Sequence, residues 1–473
     1  MRGSSEVLPQ YSMELRPWQP DIPFRRIVRE WSEARFAAGA CQNSLEQIVA
    51  ENRSYERFFD AKELRTGGFG ATEDLHYGLY RQPRRWYWGL SVAAASTPYA
   101  FRMNVSISDL PQLCGFIRSA RHAVTQEEFG LALKDLGVAQ RIANAPSVAP
   151  VEQPKEPHRW PPSDLPGIYR REHASVLVRS ETTTIVVDPQ VLAGGWTTNH
   201  GHYPADQLPQ RIDAVLVTHH HDDHWHLPSI LHLTNPDTPV IVPDVPRPNM
   251  LCGERFTDSL ASIGQAAIIG NWGSTVTVGD IEIDILPFRG EQPTRGDPGP
   301  PAGLRNWGNC FRVSTPDFSA VILADSGVDP SGDICPVLES SVQRRGPVDF
   351  LLSNCMEFPE GINLGLPHYS LALPFERLQQ IFAERQKGRS ASMTFGPSGI
   401  AEACSAAQAR YFLPYAHGFR GVGLDPVRIA SEAAVLAEVE QALRHRSPRT
   451  QVVRWFPGSS AALISGNIVL HHP

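Results

Sequence analysis

The sequence predicts an α/β protein layered around a buried sheet, with a smaller α+β domain ahead of it. Three observations carry this reading. The run Ile212-Asp213-Ala214-Val215-Leu216-Val217 is apolar and β-branched, as a buried sheet strand is, and it leads straight into THHHDDHWH at 218–226. After residue 166, strand pairs give way to strands alternating with helical patterns, the grammar of α/β domains. Between residues 146 and 166 proline is too dense for a helix or a central strand, so a linker separates residues 1–145 from residues 167–473.

Within 1–145, residues 44–64 alternate charged and apolar positions at helical spacing, and RRWYWGLSVAAA at 84–95 is aromatic and strand-like. Thr125-Gln126-Glu127-Glu128 is a TxxE capping box ahead of a helix reaching Leu136. Gly67-Gly68-Phe69-Gly70 has neither the strand-to-helix context nor the lysine of a phosphate loop. With no catalytic constellation, this half is expected to serve docking or homodimerisation.

Downstream, residues 174–178 and 184–187 flank RSETT as a hairpin that ends in Asp188-Pro189. Strands are expected at 240–243, 275–287, 310–314 and 320–324, the last ending at Asp325. Helices are expected at 334–345, 370–387, 400–409 and 426–446.

Composition narrows the function classes. A chain of 473 residues with net charge −7 carries no global basic field, so nucleic acid is not an expected partner. Seven scattered cysteines, an odd total without a CxxC, argue against a disulfide framework and for a reducing compartment. The N-terminus has no apolar signal region, and no apolar run approaches ~18 residues. A soluble cytoplasmic protein without membrane contact is the expectation.

His219, His221, Asp223 and His224 form HxHxDH in a loop at a strand's carboxyl end, where open α/β sheets place their ligands. Imidazoles with a carboxylate suit zinc, iron or manganese better than calcium or magnesium, which prefer oxygen shells. A solvated histidine tract is the bland alternative, and the buried strand ahead of the loop counts against it.

The hairpin, Asp188-Pro189, HxHxDH and a later strand ending in LADSG at Asp325 together resemble the metallo-β-lactamase superfamily over residues 165–425. That resemblance implies an αββα sandwich with a two-metal site at one edge. His219 and His221 would hold one metal, Asp223 and His224 the second, and Asp325 would bridge them. Hydrolase members add a further histidine from the loop after a strand like 281–287; here that loop reads LPFRGEQP. Arg289 stays protonated and cannot ligate, whereas Glu291 can. Hard anionic oxygen shifts preference from zinc toward iron.

The chain thus resembles a narrower group, the di-iron β-hydroxylases of nonribosomal peptide pathways, of the chloramphenicol-pathway aminoacyl type. In these a glutamate stands about seventy residues beyond the metal loop, and Glu291 follows His219 by 72 positions. The resemblance implies two Fe ions and O2 as co-substrate, with hydroxylation of the β-carbon of an amino acid. It also implies a carrier (thiolation) domain bearing the aminoacyl thioester, and an external electron donor. Docking of an acidic carrier would need a local basic patch such as Arg81, Arg84 and Arg85.

For the last metal ligand, spacing in that group favours His368, while strand-then-histidine grammar in the wider superfamily favours His417. The residue not used would be a hydrogen-bond donor behind the ligands or a proton relay. Glu357, after the strand VDFLLSN, is a candidate carboxylate beside the bridging ligand. His173 is expected to be structural and Asp188 to orient a ligand histidine. His220, His226 and His232 are expected to point elsewhere. The glycine- and proline-rich stretch 295–309 reads equally as a lid or a surface loop. The alternative function is a dizinc hydrolase of an ester, lactone, thioester or phosphodiester.

Overall fold

The computed structural model describes residues 10–17, 62, 72–77, 85–93, 99–120, 126–137, 165–171, 173–192, 211–292, 303–358, 392–416 and 432–472, with scattered positions between 373 and 387. The expected helix at 44–64 lies outside these residues apart from Lys62, as do nearly all of the linker and most of 370–387.

Gln10–Pro17 (β1), Arg85–Ala93 (β2) and Tyr99–Ser106 (β3) form an antiparallel sheet in the order β1-β2-β3. Helices Leu110–Ala120 and Gln126–Asp135 follow it. The strand-like reading of 84–95 and the helix after the capping box both correspond to these elements.

The next sheet is built from Gly167–Arg170 (β4), Val176–Arg179 (β5), Thr184–Val187 (β6), Ala214–Leu216 (β7), Val240–Pro243 (β8) and Ala267–Gly270 (β9). β6 to β9 run parallel. The second large sheet contains Thr275–Val278 (β10), Ile281–Pro287 (β11), Asn309–Ser314 (β12) and Ser319–Ala324 (β13). A short ribbon of Val328–Asp329 (β14) and Gly332–Asp333 (β15) precedes Phe350–Ser353 (β16), Tyr411–Pro414 (β17) and Gln451–Val452 (β18). The order there is β10-β11-β12-β13-β16-β17-β18. Ser460–Ile464 (β19) and Asn467–His471 (β20) return to the first sheet, giving β20-β19-β4-β5-β6-β7-β8-β9.

Strand periodicity of two decides the layers. Val176 and Val178 face the second sheet and share a core with Ile283, Ile285, Phe311, Ile322 and Leu352, whereas Leu177 between them belongs to the opposite face. The second sheet's outer residues, among them Leu286, Val321, Leu323 and Phe412, are covered by helices Cys335–Arg345, Pro397–Ala407 and Glu432–Arg446. The last of these offers Val435, Leu436, Val439 and Leu443, a single helical stripe. Proline in the first turn of two of these helices costs no hydrogen bond, because that turn's amides have no partner anyway. The result is an αββα sandwich.

Helix Leu227–Leu233 departs from the one-faced rule, since all seven of its residues are buried. It lies between the first large sheet and the N-terminal elements, whose Met13, Trp86 and Trp88 share one core with Leu227, Ile230 and Leu231. Arg118 Nη2 also donates to Gln265 Oε1 at 3.0 Å.

The single strand expected over 275–287 is two strands. The chain reverses at Gly279, whose φ of +57° sits in the left-handed region that glycine enters without penalty. Strands β1, β3, β9, β19 and β20 and helix Leu110–Ala120 had no distinct signal in the sequence. The six described cysteines are free. Among the described residues no helix is long and apolar enough to cross a membrane.

Candidate metal centre

The strand ends build the site. β7 delivers Thr218 and the histidine loop, β6 delivers Asp188, β11 delivers Glu291, β13 delivers Asp325 and β16 delivers Asn354. β6 and β7 belong to one large sheet and β11, β13 and β16 to the other, so the site forms where strand ends of the two packed sheets bring residues distant in sequence together.

Two sets of potential ligand atoms lie close together, within 4.8 Å of one another in each set: His219, His221 and Glu291, and His219, His224 and Asp325. Glu291 Oε2 stands 3.0 Å from His219 Nε2 and 2.7 Å from His221 Nδ1. Asp325 Oδ2 stands 2.8 Å from His224 Nε2 and 3.8 Å from His219 Nε2, which puts it between the two groups. A third set joins His173, Asp223 and His224. In it Asp223 Oδ2 is 2.7 Å from His173 Nε2 and 3.5 Å from His224 Nε2.

Residues behind these atoms fix which ring nitrogen faces inward. His224 Nδ1 donates to Asp188 Oδ2 at 2.8 Å, which leaves the Nε2 lone pair free for a cation. Thr218 Oγ1 donates to the same Asp188 oxygen at 2.5 Å and so accepts from His219 Nδ1 at 3.0 Å, again turning Nε2 inward. Asp188 Oδ1 takes the Thr218 amide at 2.7 Å. On the bridging side, Asn354 Nδ2 donates to Asp325 Oδ1 at 2.7 Å and leaves Oδ2 for the centre. Phe288 stacks on the His219 ring at 5.0 Å.

The electrostatics follow from packing three carboxylates and four imidazoles side by side. Burial opposes the His221 cation, but the Glu291 carboxylate outweighs it and lifts that ring to about 9. Burial likewise opposes a charged His224, yet Asp223 and Asp325 raise it well above the usual imidazole range. Burial and the neighbouring His224 keep His219 below its ordinary value. Burial opposes the Glu291 anion, and His221 and His219 nevertheless hold it down at about 2. Asp223 falls well below the carboxylate range against its burial, through His224 and His173.

The donor set fits a metal. His219 Nε2, His221 Nδ1 and His224 Nε2 are buried and face carboxylate oxygens without hydrogen-bond geometry. Imidazole nitrogen with carboxylate oxygen suits a transition metal, which would take the place of the protons these groups otherwise share.

Backbone strain gathers at the same rim. Among the described residues, His173, Asp188, Glu291, Ala324 and Ala416 all have positive φ without being glycine. Each such residue costs on the order of 1–3 kcal/mol and persists where surrounding contacts over-determine it.

The structure places the remaining sequence candidates as follows. His173 touches Asp223, while His220 meets Glu254 at 3.3 Å. His226 caps helix Leu227–Leu233, with Nδ1 on the Ser229 hydroxyl and Nε2 donating to Met13 O at 3.0 Å. His232 is buried edge-on to Tyr11. Glu357 is exposed and lies against Gly396, at the start of helix Pro397–Ala407, and Asn354 hydrogen-bonds to Asp325. His368 and His417 lie outside the described residues, as do Arg81 and Arg84; Arg85 is exposed at the start of β2.

Of the stretch 295–309, residues 303–309 are described; Leu304, Asn306 and Asn309 within them are buried. Asn306 and Asn354 carried no sequence signal, because an asparagine acquires such a role only from what the fold brings against it.

Residues 183–360 match the family model described as "Beta-lactamase superfamily domain". The chain is 29% identical over 130 residues to the 4-amino-L-phenylalanyl-[CmlP-peptidyl-carrier-protein] 3-hydroxylase of Streptomyces venezuelae, an alignment covering 25% of this chain and 23% of that relative. It is also similar in fold to the crystal structure of CmlA, a diiron beta-hydroxylase from Streptomyces venezuelae, with a TM-score of 0.57 and 17% identity over 95% of this chain and 98% of that one. With the αββα sandwich, the histidine loop on its rim and the family match, residues 183–360 form a metallo-β-lactamase superfamily domain, and an N-terminal α+β region precedes it.

Proposed function

We propose that this chain is an O2-dependent di-iron monooxygenase that hydroxylates the β-carbon of an amino acid held as a thioester on a carrier domain. The observation that carries the reading is Glu291, whose carboxylate stands 3.0 Å from His219 Nε2 and 2.7 Å from His221 Nδ1. A third histidine would leave this group neutral. Glutamate adds a hard anionic donor, which favours iron and its ferric state. The relative that acts on a peptidyl-carrier-protein substrate supports the tethered form.

His219, His221 and Glu291 would hold one iron, Asp223 and His224 the second, and Asp325 would span the two. When bound, the iron pair would supply the redox chemistry with O2: one oxygen atom enters the C–H bond, and the other leaves as water with two electrons from an external donor and two protons. The chain's own residues do the orienting. Asp188 and Thr218 fix the rings of His224 and His219, Asn354 turns Asp325, and His173 holds Asp223. Phe288, fully buried, stacks on the His219 ring and shields that side of it from water.

The test is aerobic purification followed by metal analysis and visible spectroscopy, then reaction with aminoacyl-carrier substrates. Expected are two irons per chain, ferric absorption that bleaches on reduction and returns with O2, and product heavier by one oxygen. Two zincs, no colour in iron-rich medium, and release of the acyl group by hydrolysis would overturn the proposal in favour of a dizinc hydrolase.

A further inference from the structure

The segment Leu304–Trp307 runs across the rim and grips both the loop carrying Glu291 and the body of the protein. On its outer side the fully buried Asn249 donates through Nδ2 to the carbonyls of Gly303 at 3.4 Å and Arg305 at 3.2 Å. On its inner side Asn306 N donates to Gln292 Oε1 at 2.9 Å, and Gln292 Nε2 donates back to Asn306 O at 2.9 Å and to Gly290 O at 3.2 Å.

Arg305 adds a second grip. Its Nη2 donates to Phe288 O at 3.2 Å and to Asp329 Oδ2 at 3.1 Å, and that carboxylate takes the Gly290 amide at 3.2 Å. The guanidinium is stacked over Trp272 and Trp307, 5.4 and 5.1 Å from their ring centres, which limits its motion. The loop is therefore held at Phe288, Gly290 and Gln292, on both sides of the left-handed Glu291.

The same segment reaches a ring of the metal loop. Asn306 Nδ2 lies 3.4 Å from His221 Nε2. His221 Nδ1 faces Glu291, so Nδ1 is the atom offered to a metal. A neutral ring bound through Nδ1 carries its proton on Nε2, and that proton needs an acceptor. Asn306 Oδ1 is buried and without a hydrogen-bond partner among the described residues. A half-turn of the carboxamide brings it to Nε2.

We propose that Asn306 is a positioning residue that fixes the metal-binding tautomer of His221, and that the strap Leu304–Trp307 holds Glu291 in ligating position before metal arrives. The inference rests on His219, His221 and Glu291 being ligands of one metal, and not on the reaction that follows.

Full-length Asn306→Ala, Asn306→Asp and His221→Ala proteins, stripped of metal, are titrated with cobalt(II) against a chelator while the d–d bands are followed. The melting of each metal-free protein is recorded alongside. Asn306→Ala is expected to bind one of two cobalt ions roughly 10–100-fold more weakly, with altered d–d bands and metal-free melting unchanged. Aspartate has the same shape and accepts but does not donate, so Asn306→Asp is expected to stay within about threefold of the parent. Parental binding by Asn306→Ala overturns the proposal, as does an Asn306→Asp protein that loses as much as the alanine variant.

Retention of both cobalt ions by His221→Ala locates the failure in the ligand assignment underneath. If Asn306→Ala does not fold, the zinc-loaded parent decides by NMR. A slowly exchanging Nε2 proton on His221 is expected, and its absence overturns the proposal.

Discussion

Asp188 Oδ2 lies 2.8 Å from Nδ1 of His224, with both side chains fully buried, while Nε2 of the same ring lies 2.8 Å from Asp325 Oδ2. The ring is thus set from behind by one carboxylate and aimed at another. Asp188 accepts three hydrogen bonds, two from Thr218 and one from His224. In Asp188→Asn the new NH2 faces donors, so stability is expected to fall by about 1–3 kcal/mol and metal affinity by roughly 10–100-fold. Denaturant unfolding and chelator competition check this; unchanged metal affinity would remove Asp188 from the orienting role.

Glu291 distinguishes this centre from a three-histidine one. Glu291→His is expected to lower the iron content and raise the zinc content of protein expressed with both metals present, because a neutral nitrogen replaces a hard anion. Histidine tolerates positive φ better than most residues, so the backbone at +51° is not the obstacle. Metal analysis decides, and an unchanged iron-to-zinc ratio would mean that Glu291 does not select the metal.

Gly290 permits the approach of that loop. Its φ is +123°, and an added Cβ would stand 2.8 Å from Gly327 N and 2.9 Å from Met393 O, both backbone atoms that cannot swing away. Gly290→Ala is expected to cost more stability than Gly264→Ala, where φ is +66° and nothing lies within 4 Å. The Gly264→Ala penalty should be about 1–2 kcal/mol, from conformation alone. Equal losses at the two positions in urea unfolding would contradict the close approach.

His226 couples stability to pH. Burial lowers its imidazole from 6.5 to about 4, which keeps the ring neutral with Nδ1 as acceptor of the Ser229 amide. The unfolded chain binds that proton near its ordinary value. The contribution is therefore fully present above about pH 6.5, falls as pH drops, and is lost through about pH 4, amounting to about 3 kcal/mol. The difference in unfolding free energy between the parent and His226→Gln, followed from about pH 7 to about pH 4, isolates this group from the metal ligands. A difference independent of pH would sink the assignment.

What the sequence determined by itself is local. The apolar runs of β5, β6 and β7, buried on both faces, and the dense histidine loop after β7 are short-range patterns, and a strand's carboxyl end is where such a sheet places its ligands. The α/β class and a metal-binding loop at the end of β7 were therefore legible, the meeting of HxHxDH with Asp325 came from the family resemblance, and the glutamate at 291 was visible as a departure from three histidines. Helix Leu227–Leu233 shows where that stops. Its second buried face is covered by β1 and helix Leu110–Ala120, more than a hundred residues away.

The tertiary structure alone decided that Asn354 reaches Asp325, that Asn306 meets His221 and that His226 ties the metal loop to Met13. An asparagine or a histidine has the same hydrogen-bonding atoms at any position. Only packing over long sequence separation, which strips water away and leaves one partner in reach, converts those atoms into a defined role.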